Sequence, residues 1–514
     1  VQGPFIVPKA GSDATFQYNQ QVIREIESEQ CIGELGRFFI DSFFNDKEQP
    51  HRTVEIKHPK IQKPFNEQQS VAIEKMKNMT TKQFLIIHGP PGSGKTTTLA
   101  EGIRQYMEQN PKSRVLIAGP SNVSVDNLLI KLCPKQTTVR IGNVARTSEE
   151  VVQYMLDEVV QAQFQDEFKG VNKDIKEAKS QLDKSKKALQ KNGDKKDFIL
   201  AKKALRECNK QSQVVSKQAI EKVLQHCKVL ACTLSGCSHF NTLKAAEHSN
   251  GFDLVVIDEA AQALDIQIVS ALMLCRGSVV FGGDPCQLPP TVISAFAQGR
   301  KLYSEPILYR LCQIEQNNYV LLNLQYRFDQ LINLFPSEQF YQNKLKHFKT
   351  TQKTFDFSSV VFVDTQTLYF LEEKPEKRGI FEQMSLKNPE EAKIVIKIVE
   401  KLSKQIPMDE IGVITPYAAQ VTLLNKHLNC EVSTVDGFQG REKEAIVLSL
   451  VRSNEEGCTG FVGDEKRLNV MITRAKRILV VVGNAATLES DPMLKKYIDW
   501  LYDNADCVGP EEFE

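Results

Sequence analysis

The chain has almost no net charge. Its 65 lysines and arginines face 64 acidic residues, a formal +1 over 514 residues, so no global field marks it for nucleic acid. Any basic binding surface must be local. It also lacks an apolar run of the roughly 18 residues that a membrane-spanning helix needs. Its 12 cysteines include no CxxC pair, a distribution that fits reduced thiols in the cytosol or nucleus and not a disulfide framework. The opening VQGPFIVPKAGSDATFQ has neither a basic n-region nor an apolar h-region, which argues against a secretory signal. With Val1 at its head, the chain reads as a portion of something longer. One cluster, His226, Cys227, Cys232, Cys237 and His239 in HCKVLACTLSGCSH, has the residue types of a zinc site. Because KVLACTL is a buried-strand pattern, its alternate side chains should diverge, and buried thiols are the expectation.

What is present is apolar content in short, punctuated runs. A chain of 514 residues is too long for one core and implies two or three domains. Runs at 84–90 (FLIIHGP), 115–120 (VLIAGP), 229–234 (VLACTL), 253–259 (DLVVIDE) and 278–284 (SVVFGGD) each end in glycine, proline or a polar cluster. Helical stretches separate several of them, which predicts a parallel sheet covered on both faces, with ligands at the strands' carboxyl ends. The pattern repeats at 360–364 (VVFVD), a helix in PEEAKIVIKIVEKLSK, 411–417 (IGVITPY), 445–451 (AIVLSLV) and 478–484 (ILVVVGN). The fold class is therefore α/β, two domains in tandem with a boundary near 310–320.

A lysine-rich stretch, roughly 155–222, interrupts the first domain. Apolar or small residues recur at Val171, Ile175, Ala178, Leu182 and Leu189, then at Phe198, Ala201, Leu205, Cys208, Val215 and Ala219, with Asn192-Gly193-Asp194 between. Spacings of three and four around an Asn-Gly turn predict two antiparallel helices in a coiled hairpin. Its lysines form either a solvated face or a nucleic-acid contact surface. Before residue 65 the sequence offers an amphipathic helix around 18–45 and a loop-like EIKHPKIQKPFN.

GPPGSGKT, Gly89 to Thr96, follows a predicted strand and opens a predicted helix, the context the G-x-x-x-x-G-K-[ST] pattern demands. Its glycines let backbone N–H groups approach phosphates, Lys95 supplies charge to the β and γ phosphates, and the Thr96 hydroxyl can ligate Mg²⁺. In VVIDEAAQ, Asp258 and Glu259 stand at the end of a buried strand, where they can divide labour: Asp258 holding Mg²⁺, Glu259 orienting and deprotonating the attacking water. In GGDPCQLPP, Gln287 lies where a side-chain amide could sense the γ-phosphate or its water.

The order of these motifs resembles the Upf1-like helicases of superfamily 1 over about residues 65–490. FNEQQSVAI resembles the adenine-reading Q motif, with Gln69 as base contact. GPSNVSVDNL, DEAAQ, GDPCQLPPT, LQYRF with FPSEQFY, STVDGFQGREKEAIVLSLVRSN and GFVGDEKRLNVMITRAKRILVVVGN complete the series. Within the group, VRIGNVARTSEE and the basic hairpin look most like the immunoglobulin mu-binding-protein branch. The resemblance implies two tandem RecA-like parallel-sheet P-loop domains, at 65–315 and 316–490, with the helical-hairpin insertion in the first. Residues 1–64 would be the remnant of an accessory domain or stalk, too short for the family's small β-barrel with its stalk, and 491–514 a C-terminal tail. It further implies an ATP- and Mg²⁺-dependent helicase moving 5′ to 3′ on single-stranded RNA or DNA, probing no particular sequence. The nucleotide would lie on Gly89, Pro90, Pro91, Gly92, Ser93, Gly94, Lys95, Thr96 and Thr97. Tyr326 would stack on adenine, Arg327 and Arg474 would reach the γ-phosphate, and Gly440 and Glu442 in GFQGREK would meet the ribose or couple the domains. Ser121, Asn122, Thr233, Pro289, Tyr417 and Thr434 would face the nucleic-acid strand.

Overall fold

A strand buried on both faces must be apolar throughout, and the runs picked out above become such strands. β1 (Phe84–His88), β2 (Val115–Gly119), β3 (Thr138–Ile141), β4 (Val229–Thr233), β5 (Phe252–Ile257), β6 (Cys275–Gly283) and β7 (Tyr319–Leu321) form one parallel sheet in the order β3-β4-β2-β5-β6-β1-β7. This computed structural model describes residues 63–134, 137–190, 194–290, 305–314, 318–348, 358–367, 370–373 and 385–513, together with Gln17, Gln20, Ile23 and Arg24. Apart from Gln20, Ile23 and Arg24, which are helical, the helix expected around 18–45 lies outside the described residues. Alternation sends Phe84 and Ile86 into one core layer and Leu85 and Ile87 into the opposite one.

A two-stranded ribbon, β8 (Leu324–Gln325) with β9 (Lys346–His347), leads into the second sheet. There β10 (Val360–Asp364), β11 (Ile411–Thr415), β12 (Glu431–Thr434), β13 (Lys443–Ser449), β14 (Ala475–Gly483) and β15 (Asp506–Val508) run parallel in the order β12-β11-β13-β14-β10-β15. Val360 and Phe362 enter one layer of its core, Val361 and Val363 the other.

Two boundaries differ from expectation. β7 pairs with β1, Ile86 opposite Tyr319 and His88 opposite Leu321, so the first sheet claims residues beyond 315. Residues 491–513 of the expected C-terminal tail belong to the second domain: their helix buries Leu494, Tyr497, Ile498 and Leu501, and β15 pairs with β10.

Helices that position the site are α1 (Glu67–Lys77), α2 (Lys95–Gln109), α3 (Asn122–Leu132), α4 (Gln165–Leu189), α5 (Lys195–His226), α6 (Gln330–Tyr341), α7 (Pro389–Leu402) and α8 (Glu465–Ile472). α7 shows why such segments start where they do: Asn388 caps it by accepting from Glu391 N–H at 3.1 Å, Pro389 occupies its first turn, and Glu390 and Glu391 suit the helix dipole. α4 and α5 pack along each other as the inserted hairpin. The seam follows the expected positions, with Ala178 and Ala219 buried and Val171, Ile175, Leu182, Ala201 and Leu205 half-buried. The Asn192-Gly193 turn lies outside the described residues. Among those described, no helix is long and apolar enough to cross a membrane.

Candidate functional site

The sheet order β5-β6-β1-β7 brings four strand ends side by side. β1 runs into the loop Gly89–Gly94 and then α2; β5 and β6 deliver Asp258–Glu259 and Asp284–Gln287 next to it. The loop is anchored by Gly89 N–H donating to Gly283 O at 3.0 Å and by the buried Ser93 hydroxyl donating to Pro90 O at 2.7 Å. Gly92 and Gly94 take φ of +72° and +78°, where a side chain is strained. Gly94 offers no side-chain cap, so the first N–H groups of α2 point along the loop, the arrangement that suits phosphate. Pro91 is buried and Thr97 is exposed on the helix.

Lys95 opens α2 and points at the acidic pair. Its ammonium donates to Asp258 and, at 2.7 Å, to Glu259, while the Thr96 hydroxyl stands 3.3 Å from Asp258 Oδ2. Burial alone would lower the Lys95 pKa, but the charges of Asp258 and Glu259 outweigh it and raise it. Burial, with Glu259 adding, pushes the Asp258 carboxyl up against the pull of Lys95. Glu259 itself sits at φ +56°, a left-handed conformation that is rare outside glycine and concentrates at functional sites. Asp258 accepts the Glu259 N–H at 2.8 Å, and Gln262 donates to the Glu259 carboxylate at 2.7 Å, so both ends of this residue are fixed.

Gln69 reaches the loop from α1. Its amide donates to Ser93 O at 3.0 Å and accepts from Asn66 N–H at 3.1 Å, the second bond closing a capping box. Both ends of the expected adenine reader are thus engaged with the protein. Asn66, which lies in FNEQQSVAI but was assigned no role there, also donates to the Tyr326 hydroxyl at 2.8 Å.

β7 leaves the first sheet at the same end as β1, and this delivers LQYRF to the loop. Tyr326 N–H donates to Gly92 O at 2.9 Å. A Cβ on Gly92 would stand 2.5 Å from Arg327 Cβ, so glycine is what allows the approach. The buried Gln325 amide shapes the turn by accepting the N–H groups of Arg327 at 2.8 Å and Phe328 at 3.0 Å, and Phe328 anchors in the second core. The Arg327 guanidinium pairs with Glu442 and donates to Thr473 O at 3.3 Å. Arg474 is 2% exposed; it donates to Val470 O at 3.1 Å and to Gln287 Oε1 at 3.0 Å. Burial, then the neighbouring Arg327 charge, lowers the Arg474 pKa to about 10. Two adjacent guanidiniums beside a phosphate-binding loop form a site that favours an anion. Gly440 turns the chain at φ +78° ahead of Glu442, with open space on its Cβ side.

A family description, AAA domain, matches residues 64–295, and a second so described matches residues 303–486. An uncharacterized ATP-dependent helicase of Methanocaldococcus jannaschii is 31% identical over 539 residues, spanning 95% of this chain and 77% of its own. DNA polymerase alpha-associated DNA helicase A of Saccharomyces cerevisiae is 34% identical, spanning 87% of this chain and 69% of its own. The chain belongs to the Upf1-like helicases of superfamily 1. DNA-binding protein SMUBP-2 of Mesocricetus auratus is 34% identical as well; there 85% of this chain covers 44% of the relative. As a Upf1-like helicase, the chain is an ATP hydrolase that uses nucleotide and acts on nucleic acid.

Most of the helicase's expected strand contacts sit at carboxyl ends of both sheets. Ser121 and Asn122 begin α3 after β2, Thr233 ends β4, Pro289 follows the β6 turn, and Thr434 ends β12. Several are already tied locally. Ser121 Oγ accepts from Ser124 N–H at 3.1 Å, Thr233 Oγ1 from Gly236 N–H at 3.2 Å, and Thr434 Oγ1 from Gly437 N–H at 3.3 Å. Asn122 Oδ1 accepts from Arg140 at 2.8 Å, an arginine fully buried against Asp126.

Tyr417 differs from expectation. It is 2% exposed, its hydroxyl accepts from Arg452 at 3.3 Å, and Phe461 covers its ring at 5.6 Å between centroids. The aromatic facing outward is Phe461, 44% exposed, with Arg467 over its ring at 5.6 Å. A lone aromatic in the glycine-flanked GFVG, just before a basic helix, was the signal available for it. The cysteine–histidine cluster does not converge. Cys232 and Cys237 sulfurs lie 3.9 Å apart in the core, whereas His226 bonds Lys222 O and His239 caps a helix at Asn241.

Proposed function

We propose that this helicase couples Mg²⁺-dependent ATP hydrolysis to 5′-to-3′ movement on single-stranded RNA or DNA, unwinding duplexes as it goes. The observation that carries the reading is the contact of LQYRF with the phosphate-binding loop: Arg327 of one domain lies against Gly92 of the other, and Arg474 donates to Gln287 across the same boundary. The Thr96 hydroxyl and Asp258 carboxylate, 3.3 Å apart, form a hard-oxygen donor set that fits Mg²⁺. Bound there, the ion supplies positive charge to the β and γ phosphate oxygens.

The protein's own part follows from its geometry. The loop N–H groups and Lys95 hold the triphosphate. Glu259, fixed by Gln262, accepts a proton from the water that attacks the γ-phosphorus as the bond to the leaving ADP oxygen breaks. Arg327 and Arg474 stabilise charge spreading over the transferred group, a role typically worth about 10³ to 10⁵ in rate. Because both arginines come from the second domain, loss of the γ-phosphate removes an anion that adds to the contacts between the domains. Alternating closure and release would then step the protein along its strand. Asn122, Thr233, Thr434 and the exposed Phe461 supply sequence-tolerant contacts of the hydroxyl, amide and stacking kinds.

ATP turnover measured with matched RNA and DNA oligonucleotides, alongside unwinding of 5′-tailed and 3′-tailed duplexes, tests substrate and polarity together. Lys95→Ala and Glu259→Gln should abolish turnover, and normal turnover in either would refute the mechanism. Oligonucleotide-stimulated turnover without strand separation would instead identify a clamp that remodels nucleoprotein.

A further inference from the structure

The turn after β6 holds a buried carboxylate to which the phosphate site assigns no task. Asp284 is 1% exposed and takes four donors or close polar partners. Its Oδ1 lies 2.9 Å from His88 Nε2 and accepts Cys286 N–H at 3.0 Å; its Oδ2 accepts the Gln287 amide at 2.8 Å and the Tyr341 hydroxyl at 2.7 Å. His88 Nδ1 in turn lies 2.5 Å from the Tyr319 hydroxyl. Tyr341 comes from the second domain, at the end of α6. Its oxygen accepts from Asn469 of α8 at 2.8 Å, and Asn469 also donates to Cys286 O at 2.9 Å. Leu288 of the same turn packs into the second domain's core, so apolar and polar contacts cross together.

The consequence lies in the Gln287 amide. An amide fits its cavity in two orientations that exchange a donor for an acceptor. An ionised carboxylate only accepts, so Asp284 selects the orientation with nitrogen toward itself, and Gln287 Oε1 must then face Arg474, which it meets at 3.0 Å. Burial disfavours the charged form, but bonds from His88, Tyr341 and Gln287 outweigh it and hold the Asp284 pKa down. His88, Asp284 and Cys286 have ligand atoms within 4.8 Å of one another, yet the carboxylate is filled by donors and the Cys286 thiol donates to Phe340 O, so the cluster is wired for hydrogen bonding and not for a metal.

We propose that Asp284 and Tyr341 are positioning residues forming an interdomain latch: Asp284 fixes the Gln287 amide toward Arg474, and the Tyr341 hydroxyl completes that geometry when the second domain docks. The proposal rests on the reading of Gln287 and Arg474 as γ-phosphate groups. Domain docking and chemistry then share one carboxylate.

The test uses the full chain with saturating oligonucleotide. Tyr341→Phe removes one hydroxyl and should lower kcat about tenfold, the effect of one hydrogen bond at the upper end of its usual range, with KM for ATP within about twofold. Asp284→Asn, whose amide offers a donor to Gln287, should lower kcat at least as much. In Tyr341→Phe/Gln287→Ala the loss should be no greater than in Gln287→Ala alone, because both act through the same amide. A Tyr341→Phe kcat within about twofold of the parent, with Gln287→Ala impaired, overturns the latch and leaves the proposed function standing. Multiplying losses in the double variant also overturn it, as does a parallel fall of kcat, ATP affinity and melting temperature, which marks a structural role. Full activity in Gln287→Ala overturns the underlying reading and the latch with it.

Discussion

Arg327 and Arg474 are held differently, and their substitutions should separate. Arg327 is placed by its backbone, through Gln325, and its guanidinium pairs with the half-exposed Glu442. Arg327→Ala should leave ATP affinity within a few-fold and reduce turnover by about 10³ or more; equal losses of binding and turnover would make it structural. Arg474 is buried and satisfies Val470 O and Gln287 Oε1, so its removal orphans acceptors as well as a charge. Arg474→Ala should match the catalytic loss and also destabilise the protein by about 1–3 kcal/mol in thermal unfolding. Phe461 belongs at this scale too. Stacking of a base on an aromatic is worth about 1–3 kcal/mol, so Phe461→Ala should weaken single-strand affinity roughly 5- to 100-fold. Tyr417→Phe, beneath it, should change affinity little, and the reverse order in a fluorescence-anisotropy titration would return the contact to Tyr417.

Among elements, what the sequence revealed was the interior of each sheet. The runs at 84–90 and 253–259 were legible because a strand covered on both faces carries apolar residues at successive positions. Within the two large sheets, the strands that no apolar run marked were β3, β7, β12 and β15, and these are their four edges. Edges are short or mixed: YVL is apolar but only three residues long, TVRI carries the buried Arg140, EVST is largely half-exposed and DCV is mostly exposed. The phosphate loop was readable because its glycines and lysine are local in sequence, whereas Asn66 and Tyr341 matter through partners tens to hundreds of residues away.

Another such partner is Glu391, buried on α7, which accepts from the Ser449 hydroxyl at 2.6 Å and from Val451 N–H at 3.0 Å. Val451 sits at φ +69°, a costly conformation for a β-branched residue, and this carboxylate holds it at the end of β13. Burial, only partly offset by those bonds, pushes the Glu391 carboxyl from 4.5 up to about 7. Between those values the folded state binds more protons than the unfolded chain, so stability falls as pH rises through that window and the contribution is gone above it, about 3 kcal/mol at most. Glu391→Gln should flatten this slope in thermal unfolding between pH 5 and 7.5; an unaltered slope would assign the titration to another group.

At the scale of the whole molecule, the turn after β6 and the phosphate loop both join the two domains, and Leu288 is an apolar part of that meeting. It belongs to the first domain by sequence yet lies 4% exposed in the second domain's core beside Phe328 and Tyr341. Removing a buried leucine side chain typically costs about 2–5 kcal/mol, and here the loss falls on docking because Leu288 reaches the second domain's core from the first domain's turn. Leu288→Ala should therefore leave the secondary structure intact, enlarge the radius of gyration seen by X-ray scattering, and reduce turnover more than ATP affinity. Leu288→Met, which keeps the volume, should restore both. An unchanged scattering profile with normal turnover would mean that the polar contacts, Tyr326 with Gly92 and Tyr341 with Asp284, hold the domains without it.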